Sequence, residues 1–442
     1  LEYFNDMKTQ IRLGARLYGA YGVNTESTLQ LKWLTCIMIA LSVLYAMPSR
    51  AATAFTLNEV MDIAMQHNPT LGIARAQQEA AEAAVTTAKA FINPEVEAGS
   101  GPTRYRTSGQ SDGKNWGVGV SQPLEFWNVR RARREIAESN VQVAGVGSEL
   151  TKIDLRSRVK NAFYDVLHRQ SVLRLAEGNR NLLQQIRERV KLRVDVGESP
   201  RYELIKADTE ALAAERDYNA AFVRVTEAKA YLRGLLGPTV PMEYDLKGEL
   251  PLANTLPSLE SLRERIDQSP ELEQIRAAKE AAEARLRLEE SLRFPGFTLK
   301  AGFEQDPDMN SVRLGVAVPL PLWNRRQGQI AEAAAGVRQM QAVLSDRELA
   351  LNRDVESAYQ RYLIAGRQVA SFEKGLLNQA ESTLKVAEDA YRYGERGILE
   401  YLDAQRTFSM VRKDYLAARF DYVSTMLEIE RLLGAELLEV TP

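Results

Sequence analysis

The chain has 442 residues, room for two or three ordinary domains, and a formal net charge of −2 that gives no reason to expect a nucleic-acid partner. Its single cysteine, Cys36, excludes disulfides and thiolate metal sites from the body of the protein, and its two histidines, His67 and His168, leave few metal-ligand or acid–base options. Charged residues make up 26%, and long tracts of Ala, Leu, Glu, Arg and Gln read as extended helices.

Residues 1–54 read as a leader ending in an export signal. Residues 33–47 form an uninterrupted, largely apolar run preceded by Lys32, and small residues at 49–51 or 52–54 fit a small-x-small cleavage site. The run is too short to span a bilayer comfortably. Cys36 lies inside it, whereas a lipidated cysteine would open the mature chain.

Beyond the leader the chain repeats itself. Asn68-Pro69-Thr70-Leu71 matches Ser269-Pro270-Glu271-Leu272, and Trp127-Asn128 matches Trp323-Asn324. Tyr218 matches Tyr415, and Leu235-Leu236-Gly237 matches Leu432-Leu433-Gly434. The order of matches is kept throughout, which predicts two tandem copies, 55–237 and 258–434, a Pro-rich linker at 238–257 and a tail at 435–442.

Each copy reads the same way. A short helix (57–66; 259–268) ends at an Asn-Pro or Ser-Pro break, and an Ala- and Glu-rich helix (70–91; 271–293) stops before Pro94 or Pro295. Two strand-like segments follow, within 94–125 and 296–320. In the second copy Phe297, Leu299, Ala301 and Phe303, then Val312, Leu314, Val316 and Val318, alternate with small or polar residues. That alternation fits a membrane β-hairpin and a half-buried soluble sheet equally well. Very long helical patterns come next (128–192; 324–392), each about 100 Å at 1.5 Å per residue. In the second, Leu351, Ala358, Ala365 and Phe372 recur every seven residues with Val355, Tyr362, Val369 and Leu376 interleaved, a coiled-coil seam. A glycine-bearing turn and a last helix (200–235; 398–433) close each copy.

Glu400 and Asp403, three residues apart, fall on one face at the start of the last helix. An ordinary acidic helix start, favoured by the macrodipole, would look the same. Gly197, Gly394 and Gly397 suit left-handed turn geometry. Arg130, Arg131, Arg133 and Arg134 read as a solvated helix face, and the histidines as incidental. Four strands cannot close a membrane barrel, but three chains pooling four each make twelve.

The second turn, Gly394 followed by Ile398-Leu399-Glu400-Tyr401-Leu402-Asp403-Ala404-Gln405, resembles the motif of the TolC-like outer-membrane efflux duct family of Gram-negative bacteria. Val196-Gly197-Glu198-Ser199 resembles that family's other tip motif. Gln122-Pro123-Leu124-Glu125 and the stretch from Pro319 to Gly328 resemble the cobalt–zinc–cadmium-resistance type. The resemblance covers nearly all of 55–434. It implies a mostly α fold with a small β part: a homotrimer with a coiled-coil α-barrel in the periplasm and a twelve-stranded β-barrel in outer-membrane lipid. A periplasmic adaptor and a proton-driven inner-membrane pump would deliver substrate, heavy-metal cations among the classes admitted, for passive conduction. By position, Glu400 and Asp403 would form the acidic constriction. Tyr391, Arg396 and Glu203 would lock the gate, and Val196, Gly197, Ser199, Gly394 and Gly397 would meet the adaptor. Trp127 and Trp323 would sit in the membrane belt. No cofactor is implied, and no nucleophile–base set or phosphate loop suggests an enzyme. The competing expectation is a secreted coiled-coil scaffold or adaptor without a pore.

Overall fold

The computed structural model describes residues 54–104, 106, 113–251 and 256–437; the apolar run at 33–47, with Cys36 and the small residues up to Thr53, lies outside the described residues. Strand β1 (Ala54–Phe55) leads into α1 (Leu57–His67). Thr56 opens that helix with a capping box, its hydroxyl accepting from the Glu59 amide while the Glu59 carboxylate accepts from the Thr56 amide at 2.8 Å. Asn68 caps α2 (Pro69–Lys89) by accepting from the Thr70 amide at 2.8 Å, and Pro69 sits at the first position, where no amide is needed. Side-chain caps recur in the second copy: Ser258 accepts from the Ser261 amide at α5 (Leu259–Ile266), and Ser269 accepts from the Leu272 amide at the Pro-headed α6 (Pro270–Ser291).

Strands β2 (Glu95–Thr103) and β3 (Gly113–Glu125) precede α3 (Trp127–Asp195), a single helix of 69 residues, and α4 (Arg201–Leu236). After β4 (Asp245–Leu246), α5 and α6 come β5 (Gly296–Gln305), β6 (Asn310–Ala317) and α7 (Gln327–Ser371). A π-helical segment, Phe372–Leu376, joins α7 to α8 (Leu377–Arg392), and α9 (Ile398–Leu433) follows.

The seam of α7 is buried at Leu351, Val355, Ala358, Tyr362, Ala365 and Val369 but does not continue to Leu376, which is exposed. The π segment adds one residue to the turn and rotates the following helix. Inward positions downstream therefore fall on Ala380, Leu384, Ala387 and Tyr391, one residue later than the heptad predicts.

The last helix of each hairpin meets an earlier helix end to end. Asn68 donates from its amide to the Leu235 carbonyl at 2.7 Å, so α4 finishes where α2 starts, and both lie along α3. Gly237 makes the junction possible: its φ is +89°, and a Cβ there would lie 2.7 Å from the His67 carbonyl oxygen. Gly434, φ +67°, plays the same part between α9 and α6, against the Pro270 ring.

The arginine run at the start of α3 is not a purely solvated face. Arg130 donates to the Lys89 carbonyl, and Arg133 donates to the carbonyls of Ala88 and Ala90 while pairing with Glu125. Together they satisfy the free carbonyls at the end of α2. Only Arg131 and Arg134 make the ordinary i,i+4 surface pairs, with Glu135 and Glu138. The stretch after α4, which the sequence suggests is a linker, carries β4 in parallel pairing with β1 and buries Val240, Tyr244, Leu246 and Leu250 in the main core.

The remaining strands form one antiparallel sheet ordered β2-β3-β5-β6. Its pairing puts Val96, Ala98, Trp116, Val118, Val120, Leu299, Ala301, Phe303, Val312, Leu314 and Val316 on one face. The other face carries Glu97, Gly99, Asn115, Gly117, Gly119, Lys300, Glu304, Arg313 and Gly315. The apolar face is bare: Val312 is 75% and Leu314 82% exposed. No helix among the described residues is long and apolar enough to cross a membrane.

Candidate functional site

Both tips of the long helical hairpins end in the same way. In α3 the Gly197 amide donates to the Val194 carbonyl at 3.0 Å and the Glu198 amide to the Arg193 carbonyl at 2.8 Å. In α8 the Gly394 amide donates to the Tyr391 carbonyl and the Glu395 amide to the Ala390 carbonyl at 2.9 Å. Each is a Schellman cap, which requires a left-handed residue after the helix; Gly197 and Gly394 supply it with φ of +82° and +77°. Gly397 does not share that role, because its φ of −75° is extended backbone before α9. Val196, Gly197, Gly394 and Gly397 are exposed and Ser199 is half-buried.

Beneath the tips one apolar cluster joins four helices. Leu183, Ile186 and Val190 of α3 and Ala207 and Ala214 of α4 pack with Ile398, Tyr401 and Leu402 of α9, with Leu384 and Tyr391 of α8 at the margin. This cluster turns Glu400 and Asp403 outward on α9, and both are exposed. Only Glu400 lies in the first turn, where it complements the helix dipole.

The expected lock is not assembled within one chain. Arg396, in the turn before α9, pairs with Glu400 of that helix at 3.8 Å rather than with Tyr391 or Glu203. Tyr391 instead stacks on Tyr401, with centroids 5.8 Å apart, and receives the guanidinium of Arg193 at 5.6 Å. Arg193 was not singled out by any motif; its one signal in the sequence is its place in the last turn before a tip. A second unheralded contact lies deeper, where the buried Gln405 donates to the Asn179 side chain at 3.0 Å while its own carbonyl oxygen has no protein partner.

At the opposite end, where the strands meet the helices, Trp127 and Trp323 are 73% and 91% exposed. Phe91, Phe126 and Phe294 are exposed at the same junction.

The sequence profile of the family described as outer membrane efflux protein matches residues 60–238 and 262–435. The chain belongs to this family. Its sheet with a bare apolar face and its long helical hairpins are thus parts of an outer-membrane efflux channel, and not of a secreted scaffold. Among curated relatives, the cobalt-zinc-cadmium resistance protein CzcC of Cupriavidus metallidurans is 26% identical over 389 residues, covering 88% of this chain and 92% of its own length. The outer membrane protein TolC of Vibrio cholerae is 24% identical, covering 87% of this chain and 92% of itself. The solved structure of the CusC channel superposes with a TM-score of 0.71 at 19% identity, over 89% of this chain and 96% of that one. This last likeness bears on fold alone.

Proposed function

We propose that three copies of this efflux protein pool their sheets into a twelve-stranded barrel and their helices into a periplasmic duct, through which substrate passes passively. The observation that carries this reading is the sheet: β2 and β6 each have one unpaired edge among the described residues, and one face carries an exposed apolar band, with polar Ser100, Lys114, Gln305 and Asn310 at its far end. The open edges are costly in lipid and the apolar face is costly in water; closure with two further copies removes the edges while lipid covers the face. Exposed Leu212, Phe222 and Tyr231 on α4 offer further apolar surface for neighbouring protomers. Trp127 and Trp323 then lie at the lipid–water boundary.

In the duct, Glu400 and Asp403 from three chains ring the periplasmic entrance and attract cations. Tyr391, Arg396 and Glu203 lock that entrance, with Glu203 meeting its partners across a protomer boundary. Val196, Gly197, Ser199, Gly394 and Gly397 form the surface that meets a periplasmic adaptor, and a proton-driven inner-membrane pump supplies substrate. The names of two relatives, the cobalt-zinc-cadmium protein and the nickel-cobalt-cadmium resistance protein NccC of Alcaligenes xylosoxydans, support divalent heavy-metal cations as that substrate. Planar-bilayer recording tests the entrance. The double variant Glu400→Ala with Asp403→Ala should conduct more and be blocked less by multivalent cations; unchanged conductance and block would refute the ring.

A further inference from the structure

We propose that Arg193 is a positioning residue of the entrance, holding the second hairpin against the first within each protomer through Tyr391. The inference rests on the reading of the tips as an entrance, and it adds a tie that no motif assigns. The guanidinium leaves the last turn of α3 and lies 5.6 Å from the Tyr391 ring centroid on α8, in the range of a cation–π contact. Tyr391 stacks in turn on Tyr401, which is 4% exposed and sits in the cluster below Glu400 and Asp403. Arg193, Tyr391 and Tyr401 therefore form a continuous path from the first hairpin into the packing beneath the acids.

The surroundings suit that task. Glu198, beyond the first tip, stands 3.8 Å from the guanidinium. Hydrogen bonding to the Tyr391 hydroxyl first, and then the charges of Glu198 and Glu203, hold Arg193 above the ordinary arginine pKa. Arg396 is differently placed. Its carboxylate partner, Glu400, is four residues on in the same hairpin, so this pair joins no two hairpins within the protomer. Between Arg193 and Arg396, the one that crosses between hairpins is the one the motif leaves out.

The test uses the full chain in a Cys36→Ser background with spin labels on Val196→Cys and Tyr393→Cys, diluted with unlabelled chain. Both label sites are exposed, at 70% and 77%. Arg193→Ala should broaden the tip-to-tip distance distribution and raise mean bilayer conductance by roughly two- to fivefold, the size of one partly exposed cation–π contact. Arg193→Lys should recover part of both effects, and Arg392→Ala, at an arginine paired along its own helix with Glu388 and Asp389, should leave the distance unchanged. Arg193→Gln, which retains most of the stem, repeats the measurement should the alanine variant fail to fold. An unchanged distribution in a folded Arg193 variant, or equal broadening by Arg392→Ala, overturns the tie. Broadened distances with unchanged conductance would uphold the tie and refute the entrance reading beneath it.

Discussion

Glu203 and Glu400 hold the same place in their hairpins, the third residue of the helix after a Schellman-capped tip. The next acid separates the two. Where α9 continues to an exposed Asp403, α4 has Lys206, which pairs with Glu210 at 3.0 Å. Only the second hairpin thus presents two exposed carboxylates on one side at the start of its helix, which is why the proposed ring is assigned to it. His168 carries a second residue-scale prediction. Its ring stacks on Phe420 at 5.2 Å and its Nδ1 is buried without a partner. Burial pushes its pKa below the ordinary value; Asp165, Asp421 and a hydrogen bond to the Leu416 backbone oppose that shift, and Arg169 reinforces it. As pH falls below about 6.5, the unfolded chain takes up a proton that the folded chain refuses, so this residue's stability contribution is complete above that pH and declines below it. His168→Gln should flatten the fall of the thermal midpoint between neutral and mildly acidic pH; an unaltered slope would show that the imidazole is not its source.

At the scale of elements, glycine has two opposite meanings in α4. Gly237 ends the helix at φ +89° against the His67 carbonyl, whereas nothing lies within 4 Å of a Cβ built on Gly234. Gly237→Ala should cost about 1–3 kcal/mol through forced backbone strain. Gly234→Ala should stabilise by about 0.5–1 kcal/mol through helix propensity. Thermal unfolding of the pair would check the end-on junction directly. The helices themselves, their order and their Pro-headed starts are readable from periodicity and capping residues, since both are local signals. The coiled-coil seam is readable only as far as Phe372, which still packs against the core, and fails at Leu376. The extra residue of the π segment leaves the composition helical, and its effect is a rotation that shows only against the partner helix.

For the whole molecule, the sheet decides where the chain resides. Alternation in β5 and β6 leaves a membrane hairpin and a soluble sheet equally open. The register of all four strands supports the membrane reading, because it gathers the apolar residues of every strand on one uncovered face. Leu314→Arg on that face should destabilise bilayer-folded protein by about 2–4 kcal/mol if the site lies near mid-membrane. Gly315→Ser on the opposite face should be close to neutral. Equal tolerance of both, read from folding yield into vesicles and heat-modified mobility, would contradict a lipid-facing assignment.

The amino-acid sequence by itself determined the kinds of element, their order and the two glycine-headed tips, because hydrophobic period, caps and breakers act over a few residues. Only the tertiary structure decided which tip residues meet. Arg193 with Tyr391, Asn179 with Gln405, and Asn68 with Leu235 each join distant parts of the chain. Their pairing depends on the rotation and stagger of long helices, to which a one-residue π insertion contributes as much as any motif.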